Sequence, residues 1–424
     1  MVLKNFHVPH SWVNPSMLRD PEFPNRIVMI WRMPDKGKHD KVGYMWLDTN
    51  FTIVKPKDMI EVQWENHRRM LVAEDPRIFA WNGQLYSIYN THLTKYKKLF
   101  FAPVFYHVPS DMFFIKQRTF HINIEHEMGY YRHQKNWTPF EYCPFCEYKY
   151  GVVDANYVRR YRKEKGVTDG LLANASYILT GDYHADIERV LAFEPIDLLP
   201  ARLFFIYEIN PHRIVAVTHA NKTSIQSGEY EAEVYANTTY VTKLLPEYEW
   251  EYGEMRGGSP ALLINSTHFL SFFHSSGRFQ QRHVITYYMG AYIFENKPPF
   301  GISGMSPEPI VANAMVNESW GWAYKVVDYI IFPMGFVFDD DYIHVSYGKN
   351  DKDGWVLTLN KTELLNSLVP VKYELIGASK LDDKNKVIDG SYEHFSSSKK
   401  ETNFEKMQHS HSHRRLRSSQ VPFI

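Results

Sequence analysis

Glu74-Asp75-Pro76-Arg77, followed by Ile78-Phe79-Ala80-Trp81-Asn82-Gly83-Gln84-Leu85-Tyr86-Ser87-Ile88-Tyr89, contains the pattern from which the fold is read. A polar tetrapeptide with Asp-Pro marks a turn, an apolar run follows, Asn82-Gly83 turns the chain, and a β-branched and aromatic run returns. Ile27-Val28-Met29-Ile30-Trp31, Leu203-Phe204-Phe205-Ile206-Tyr207 and Ile343-His344-Val345-Ser346-Tyr347 repeat the short apolar run, each with Gly, Pro, Asn or Asp close by. Many short strands separated by turn signals read as a sandwich, barrel or propeller. Long amphipathic helices are scarce.

Composition narrows the possibilities. The chain has 424 residues, 48 Lys and Arg against 48 Asp and Glu, and is 44% hydrophobic. That length allows a sizeable core. The balanced charge argues against a nucleic-acid partner, which would require a basic field. No apolar stretch reaches the roughly 20 residues of a spanning helix; Val326 to Phe338 comes nearest and contains Asp328, Pro333 and Gly335. Two cysteines, Cys143 and Cys146, exclude a disulfide-dense scaffold and a four-cysteine zinc site; a local disulfide is the favoured reading, with free thiols or half of an intermolecular zinc site as the alternatives.

Met1 to Asn14 shows no apolar h-region, so the sequence as written carries no signal peptide. Eight Asn-x-Ser/Thr sequons stand against this, at Asn50, Asn136, Asn174, Asn221, Asn237, Asn265, Asn317 and Asn360. Chance would place roughly two in a chain with this much Asn, Ser and Thr, and the motif has meaning only in a secreted or luminal protein. The excess points to a secretory lumen or the extracellular space, with a cytoplasmic location as the alternative. Turn-rich β proteins also concentrate these residue types.

Five segments place polar groups at strand ends, where a rigid β scaffold can gather them around one centre. They are Asn14-Pro15-Ser16 with the strand ending Trp31-Arg32; Glu74 to Arg77; Lys135-Asn136-Trp137; Arg256-Gly257-Gly258-Ser259-Pro260 with the strand ending Phe272-Phe273-His274; and Tyr288 through Ser306-Pro307-Glu308-Pro309-Ile310 and Phe332-Pro333-Met334-Gly335 to Tyr347-Gly348-Lys349-Asn350-Asp351. Asp75, flanked by Glu74 and Arg77 among aromatic strands, is the carboxyl suited to proton transfer; the competing reading is a turn cap before Pro76. Arg32, Arg77, Lys135, Arg256 and His274 together suit an anion or sugar hydroxyls. Asp339-Asp340-Asp341 reads as a hairpin turn, and no metal site is expected.

In this order the segments resemble glycoside hydrolase family 130, the mannoside phosphorylases and related enzymes built on a five-bladed β-propeller. Asn14-Pro15, Glu74-Asp75-Pro76-Arg77 and Lys135-Asn136-Trp137 look like its Asn-Pro, Glu-Asp-Pro-Arg and Lys-Asn-Trp motifs. Pro260 to His274 is similar to its Pro-rich strand, with Phe273 in place of a Tyr. Gly290-Ala291, Glu308-Pro309-Ile310, Phe332 to Gly335 and Tyr347 to Asp351 follow in sequence.

The resemblance implies an all-β, five-bladed propeller over residues 1–379; the change in composition reads as a partly helical insertion at 142–200 and a disordered polar tail at 380–424. It implies an enzyme acting on β-mannosides in an oligosaccharide or glycan, by inverting phosphorolysis or hydrolysis. Asp75 would be the general acid, and Asn14, Arg32, Arg77, Lys135, Asn136, Arg256, His274, Tyr347 and Asp351 would bind the substrate. No cofactor is implied beyond inorganic phosphate as a co-substrate; for hydrolysis, Glu308 is the candidate base. A luminal glycosyltransferase on the same scaffold, or a non-catalytic glycan-binding propeller, are the alternatives. The oligomeric state is not written in the sequence.

Overall fold

In a computed structural model, the described residues are 2–7, 13–34, 41–57, 61–64, 67–70, 73–91, 98–107, 112–115, 120–124, 136–165, 178–179, 199–224, 230–279, 284–312, 315, 330–378, 380–381 and 387–388. They form antiparallel sheets arranged as the five blades of a β-propeller. The first blade is Val13–Arg19, Arg26–Met33, Lys41–Asp48 and Ile53–Lys57. The second is Glu74–Trp81, Gln84–Thr91, Lys98–His107 and Met112–Ile115. Thr138–Tyr142, Arg202–Glu208, His212–Ser224 and Tyr230–Leu244 make the third. In the fourth, Glu254–Gly257 and Leu262–Leu263 both pair with His268–Phe279, which continues to Val284–Glu295 and Ile302–Met305.

The fifth blade runs Ile331–Phe338, Tyr342–Lys349 and Asp353–Asn360, and its outer strand is Val2–His7 from the other end of the chain. Closing the last blade with the amino-terminal strand satisfies an edge that would otherwise be open. Blades two and three are also joined: Phe120–Ile124 pairs with Lys98–His107 and, in parallel, with Tyr230–Leu244.

The cores lie between successive blades. Met17, Met29 and Trp31 of the first blade pack with Val337 and Val356 of the fifth. Phe79, Trp81 and Phe101 of the second meet Trp137, Leu203 and Phe205 of the third. Phe140, Phe204 and Ile214 of the third meet Phe269, Phe273 and Phe294 of the fourth. The largest cluster joins blades one with two and four with five. An inner strand therefore has neighbours on both faces, and Val13–Arg19, Glu74–Trp81 and Ile331–Phe338 are buried along their whole length. This explains why their sequences do not alternate cleanly between polar and apolar residues.

The expected insertion begins with a Cys143–Cys146 disulfide. The hairpin Tyr148–Lys149 and Val152–Val153 and the helix Ala155–Glu164 follow; Asp154 caps the helix by accepting from the Asn156 and Tyr157 amides. This segment sits at the ends of the inner strands. The Glu141 carboxylate accepts from the Asn82 amide at 2.8 Å and the Val153 amide at 2.5 Å. The Arg19 guanidinium lies 4.1 Å from the Tyr150 ring centroid and donates to the Pro24 and Phe338 carbonyls. At the neighbouring turn Asn82 and Gly83 both have positive φ, 51° and 75°, as a two-residue hairpin requires. Residues 166–177 and 180–198 of the insertion, and the tail apart from 380–381 and 387–388, lie outside the described residues.

Candidate functional site

The starts of the inner strands face the opposite end of the propeller from the insertion, and there the chain departs from regular β geometry. Asn14, Asp75, Asn136, Asn350 and Asp351 adopt left-handed backbone conformations, with φ of 53°, 49°, 65°, 56° and 50°. Asn and Asp tolerate this region better than other residues with a β-carbon, yet Asn14 and Asp75 adopt it directly before proline, where the backbone is further restricted. Strand register slips at the same points, between Val13 and Ser16 and between Glu74 and Arg77. A bulge re-aims a side chain without interrupting the strand. Strained backbone repeated at one end of a scaffold is a functional signature.

Those side chains meet across the blades. Asn14 Nδ2 donates to Asp75 Oδ1 at 2.8 Å, linking blades one and two. Arg32 Nη1 approaches the same oxygen at 3.4 Å. Arg77 Nη2 donates to Asn136 Oδ1 at 3.0 Å, linking blades two and three. A β-carbon on Gly257 would collide with the Asn136 carbonyl, which brings the fourth blade against the third. His274 packs edge-on against Phe332 at 4.5 Å, and the Arg77 guanidinium lies 5.5 Å from the same ring, so Phe332 of blade five touches both side chains. Asp351 of blade five lies close enough to Arg32, Asp75 and Asn14 for each to act on its carboxyl. Beneath it, Ser16 Oγ donates to the Met334 carbonyl at 2.9 Å and accepts from the Ile78 amide at 3.0 Å, tying blades five, one and two.

The electrostatics follow from burial. Arg77 is 1% exposed; burial lowers its pKa to about 10, and Asp75 opposes the shift, so the guanidinium stays charged at neutral pH. His274 is driven down to about 3, first by burial and then by the Arg77 and Arg256 charges, so the imidazole is neutral. It therefore offers a hydrogen bond and no charge. Asp351 is pushed up, chiefly by burial and also by Asp75 and Glu74, while Arg32 and Asn14 pull the other way.

Most of the residues selected from the sequence thus converge: Asn14, Arg32, Asp75, Arg77, Asn136, His274 and Asp351 belong to one constellation. Arg256 lies beside it, opposite His274 in the strand register, with an exposed guanidinium paired to Glu254 at 2.8 Å. Lys135 lies outside the described residues. Tyr347, expected to touch a sugar, has no exposed surface. It shares a strand face with Ile343 and Val345, and the two-residue period places all three in the interblade core. His212 is likewise buried, against Tyr292 and Phe294.

The sequence reading did not assign Ser16, Phe332 or Gly348 individual roles. Gly348 abuts the Asn14 side-chain oxygen so closely that a β-carbon there would displace it. Asp339 to Asp341 form the expected turn, the Asp339 carboxylate accepting from the Asp341 and Tyr342 amides. Among the described residues no group of His, Cys, Asp and Glu is arranged to hold a metal ion, and no helix is long and apolar enough to cross a membrane.

No protein-family profile and no curated protein sequence matches the chain. Similarity to solved structures extends over most of its length. One is a structure from the GH130 family, described as mannoside phosphorylases that include glycoside hydrolases targeting β-1,2-mannosidic linkages in Candida mannan; identity is 12%, coverage 84% of this chain and 86% of that one, and the TM-score 0.48. The β-1,2-mannobiose phosphorylase of Listeria innocua shows 10% identity over 84% of this chain and 92% of its own, with a TM-score of 0.39. The mannose phosphorylase of Leishmania mexicana shows 9% identity, 89% and 92% coverage, and a TM-score of 0.40.

Proposed function

We propose that the protein is a glycoside-processing enzyme that cleaves β-mannosidic bonds with inversion, Asp75 acting as the general acid. The observation that carries this reading is the cluster of polar side chains around Asp75, drawn from separate blades and set on left-handed backbone. A turn cap would require none of those partners. In this reading Asp75 protonates the departing glycosidic oxygen, directly or through a sugar hydroxyl, while the nucleophile attacks the anomeric carbon from the opposite face. Asn14, Arg32, Asn136 and Asp351 orient the sugar.

In this reading Arg77, His274 and Arg256 are the groups that would hold an oxyanion co-substrate. Arg77 is already positioned by Asn136 and carries its full charge, and neutral His274 can donate one hydrogen bond. This favours inorganic phosphate over water as the nucleophile, on an oligosaccharide or glycan substrate; the excess of sequons is what supports a secretory or extracellular compartment.

The deciding experiment is a screen of β-mannosides with and without inorganic phosphate. Phosphate-dependent release of mannose 1-phosphate is expected. Equal turnover without phosphate would replace phosphorolysis with hydrolysis, and no cleavage of any β-mannoside under either condition would sink the reading.

A further inference from the structure

The fold places the Asn-x-Ser/Thr sequons in unlike settings. Asn50-Phe51-Thr52 belongs to the turn between Lys41–Asp48 and Ile53–Lys57 of blade one. Asp48 Oδ1 accepts from the Asn50 and Thr52 amides at 2.9 and 2.8 Å, and the Asp48 amide donates to the Thr52 carbonyl at 3.0 Å. Phe51, with a positive φ of 63°, lays its ring against His344 at 4.5 Å. Asp48 and Phe51 therefore anchor the turn, and Asn50 and Thr52 are left exposed.

Asn265-Ser266-Thr267 turns the chain between Leu262–Leu263 and His268–Phe279 of blade four, and every residue of it is exposed. Asn265 Oδ1 accepts from the Thr267 amide at 2.9 Å, the Thr267 hydroxyl at 2.8 Å and the His268 amide at 2.9 Å. Donors converging on one atom identify it as the oxygen, so the amide nitrogen is the end left for reaction.

Asn136-Trp137-Thr138 carries the same motif in the opposite setting. Trp137 and Thr138 are buried, Asn136 Oδ1 accepts from Arg77 at 3.0 Å, and the Asn136 carbonyl stands where a β-carbon on Gly257 would go. An oligosaccharide on that nitrogen would fill the mouth of the candidate site. Asn360 is half-buried and caps the helix Lys361–Ser367, accepting from the Glu363 amide at 2.9 Å. Asn174 and Asn317, and the side chains of Asn221 and Asn237, lie outside the described residues.

The two exposed sequons share the end of the propeller that bears the insertion. The Leu263 amide, just before Asn265, donates to the Gly151 carbonyl of the insertion at 3.1 Å. Asp48 pairs with Arg26, at the end of its strand away from Arg32 and the Asp75 constellation. Oligosaccharides on these turns would leave the mouth around Asp75 open.

We propose that Asn50 and Asn265 are acceptor sites for N-linked oligosaccharide and that Asn136 is not. In the transfer the amide nitrogen attacks the anomeric carbon of an oligosaccharide carried on a polyprenyl diphosphate. The C–N bond forms as the C–O bond to the diphosphate breaks, the polyprenyl diphosphate leaves, and one amide proton passes to a base of the transferring enzyme. Use of these sites in the natural protein rests on the secretory or extracellular compartment, which the Cys143–Cys146 disulfide also supports. It does not depend on the chemistry of Asp75.

The test is peptide mapping by mass spectrometry after enzymatic deglycosylation in heavy-oxygen water. It is applied to the full chain directed into the endoplasmic reticulum by an added cleavable signal sequence, and to the chain isolated from its natural source. In the directed, secreted chain Asn50 and Asn265 should be recovered as heavy-oxygen-labelled Asp, and Asn136 as unlabelled Asn. Asn50→Gln and Asn265→Gln should each remove the mass of one oligosaccharide. Thr52→Ala and Thr267→Ala, which keep the asparagines and destroy the motif, should remove the same masses. An unlabelled Asn50 or Asn265 in the directed chain, or a labelled Asn136, overturns the proposal. A natural chain bare at both positions while the directed chain is labelled removes the compartment reading and leaves the acceptor sites standing.

Discussion

At the residue scale Asp75 makes contacts that a turn cap does not need, and substitution separates the two roles. Asp75→Asn keeps the shape and removes the transferable proton, so kcat should fall by at least ~10²-fold. A preserved kcat with a lowered melting temperature would return Asp75 to the status of a cap, whose loss costs about 1 kcal/mol. Gly348→Ala probes the same site from behind. Its methyl group would take the place of the Asn14 side-chain oxygen, so the bridge to Asp75 should break and kcat should fall, although no group that touches substrate has been removed. Wild-type turnover in Gly348→Ala would show that the Asn14 orientation is dispensable.

The site was legible where chemistry and backbone need coincide. Asn14 and Asp75 stand out before proline because a left-handed, bulged strand start requires those residue types. Tyr347 differs from its expectation because the strand period of two places it with Ile343 and Val345 in the interblade core, while the adjoining Gly348 gives it the local look of a turn residue. Ser16 hid in plain view, since a serine two residues past Asn14 has no local mark of the ties it makes to blades five and two.

At the element scale, individual strands were readable from turn signals and apolar runs, whereas their partners were not. Val2–His7 completes a sheet whose other strands lie more than 320 residues away, and Phe120–Ile124 joins two blades by parallel pairing. Pairing over such distances leaves no periodicity in the local sequence. The insertion shows how one buried group secures an element. Glu141 accepts backbone N–H bonds from Asn82 on blade two and Val153 in the insertion. Glu141→Gln keeps one acceptor and turns an N–H toward the other donor, which should cost ~1–3 kcal/mol, seen as a lower melting temperature at pH 5. An unchanged melting temperature would mean that the insertion is held by its other contacts, Arg19 on Tyr150 and Gly83 against Ala155.

At the scale of the whole molecule, buried titratable groups set how stability depends on pH. Burial lowers His212 and His274 from 6.5 to about 3. Below pH 6.5 the unfolded chain therefore binds two protons that the folded chain refuses. Each histidine's contribution is fully present above pH 6.5 and is lost as the pH falls toward 3, with a slope of roughly 1.4 kcal/mol per pH unit. Glu141 works in the other direction, because burial raises it from 4.5 to about 8. Its contribution is present below pH 4.5 and is lost as the pH rises toward 8, and raised Asp351 acts in the same sense. Between pH 4.5 and 6.5 the two effects oppose each other; below 4.5 the histidines dominate, and between 6.5 and 8 Glu141 does. Melting temperature measured from pH 3.5 to 8.5 should therefore fall steeply on the acid side and gently on the alkaline side. His212 lies outside the site, packed on Tyr292 and Phe294, so His212→Phe can test the acid limb without touching the Asp75 constellation. The variant should show a shallower acid slope and an unchanged alkaline one. An acid limb as steep as that of the wild type would mean that His212 is not the source of the proton uptake on unfolding.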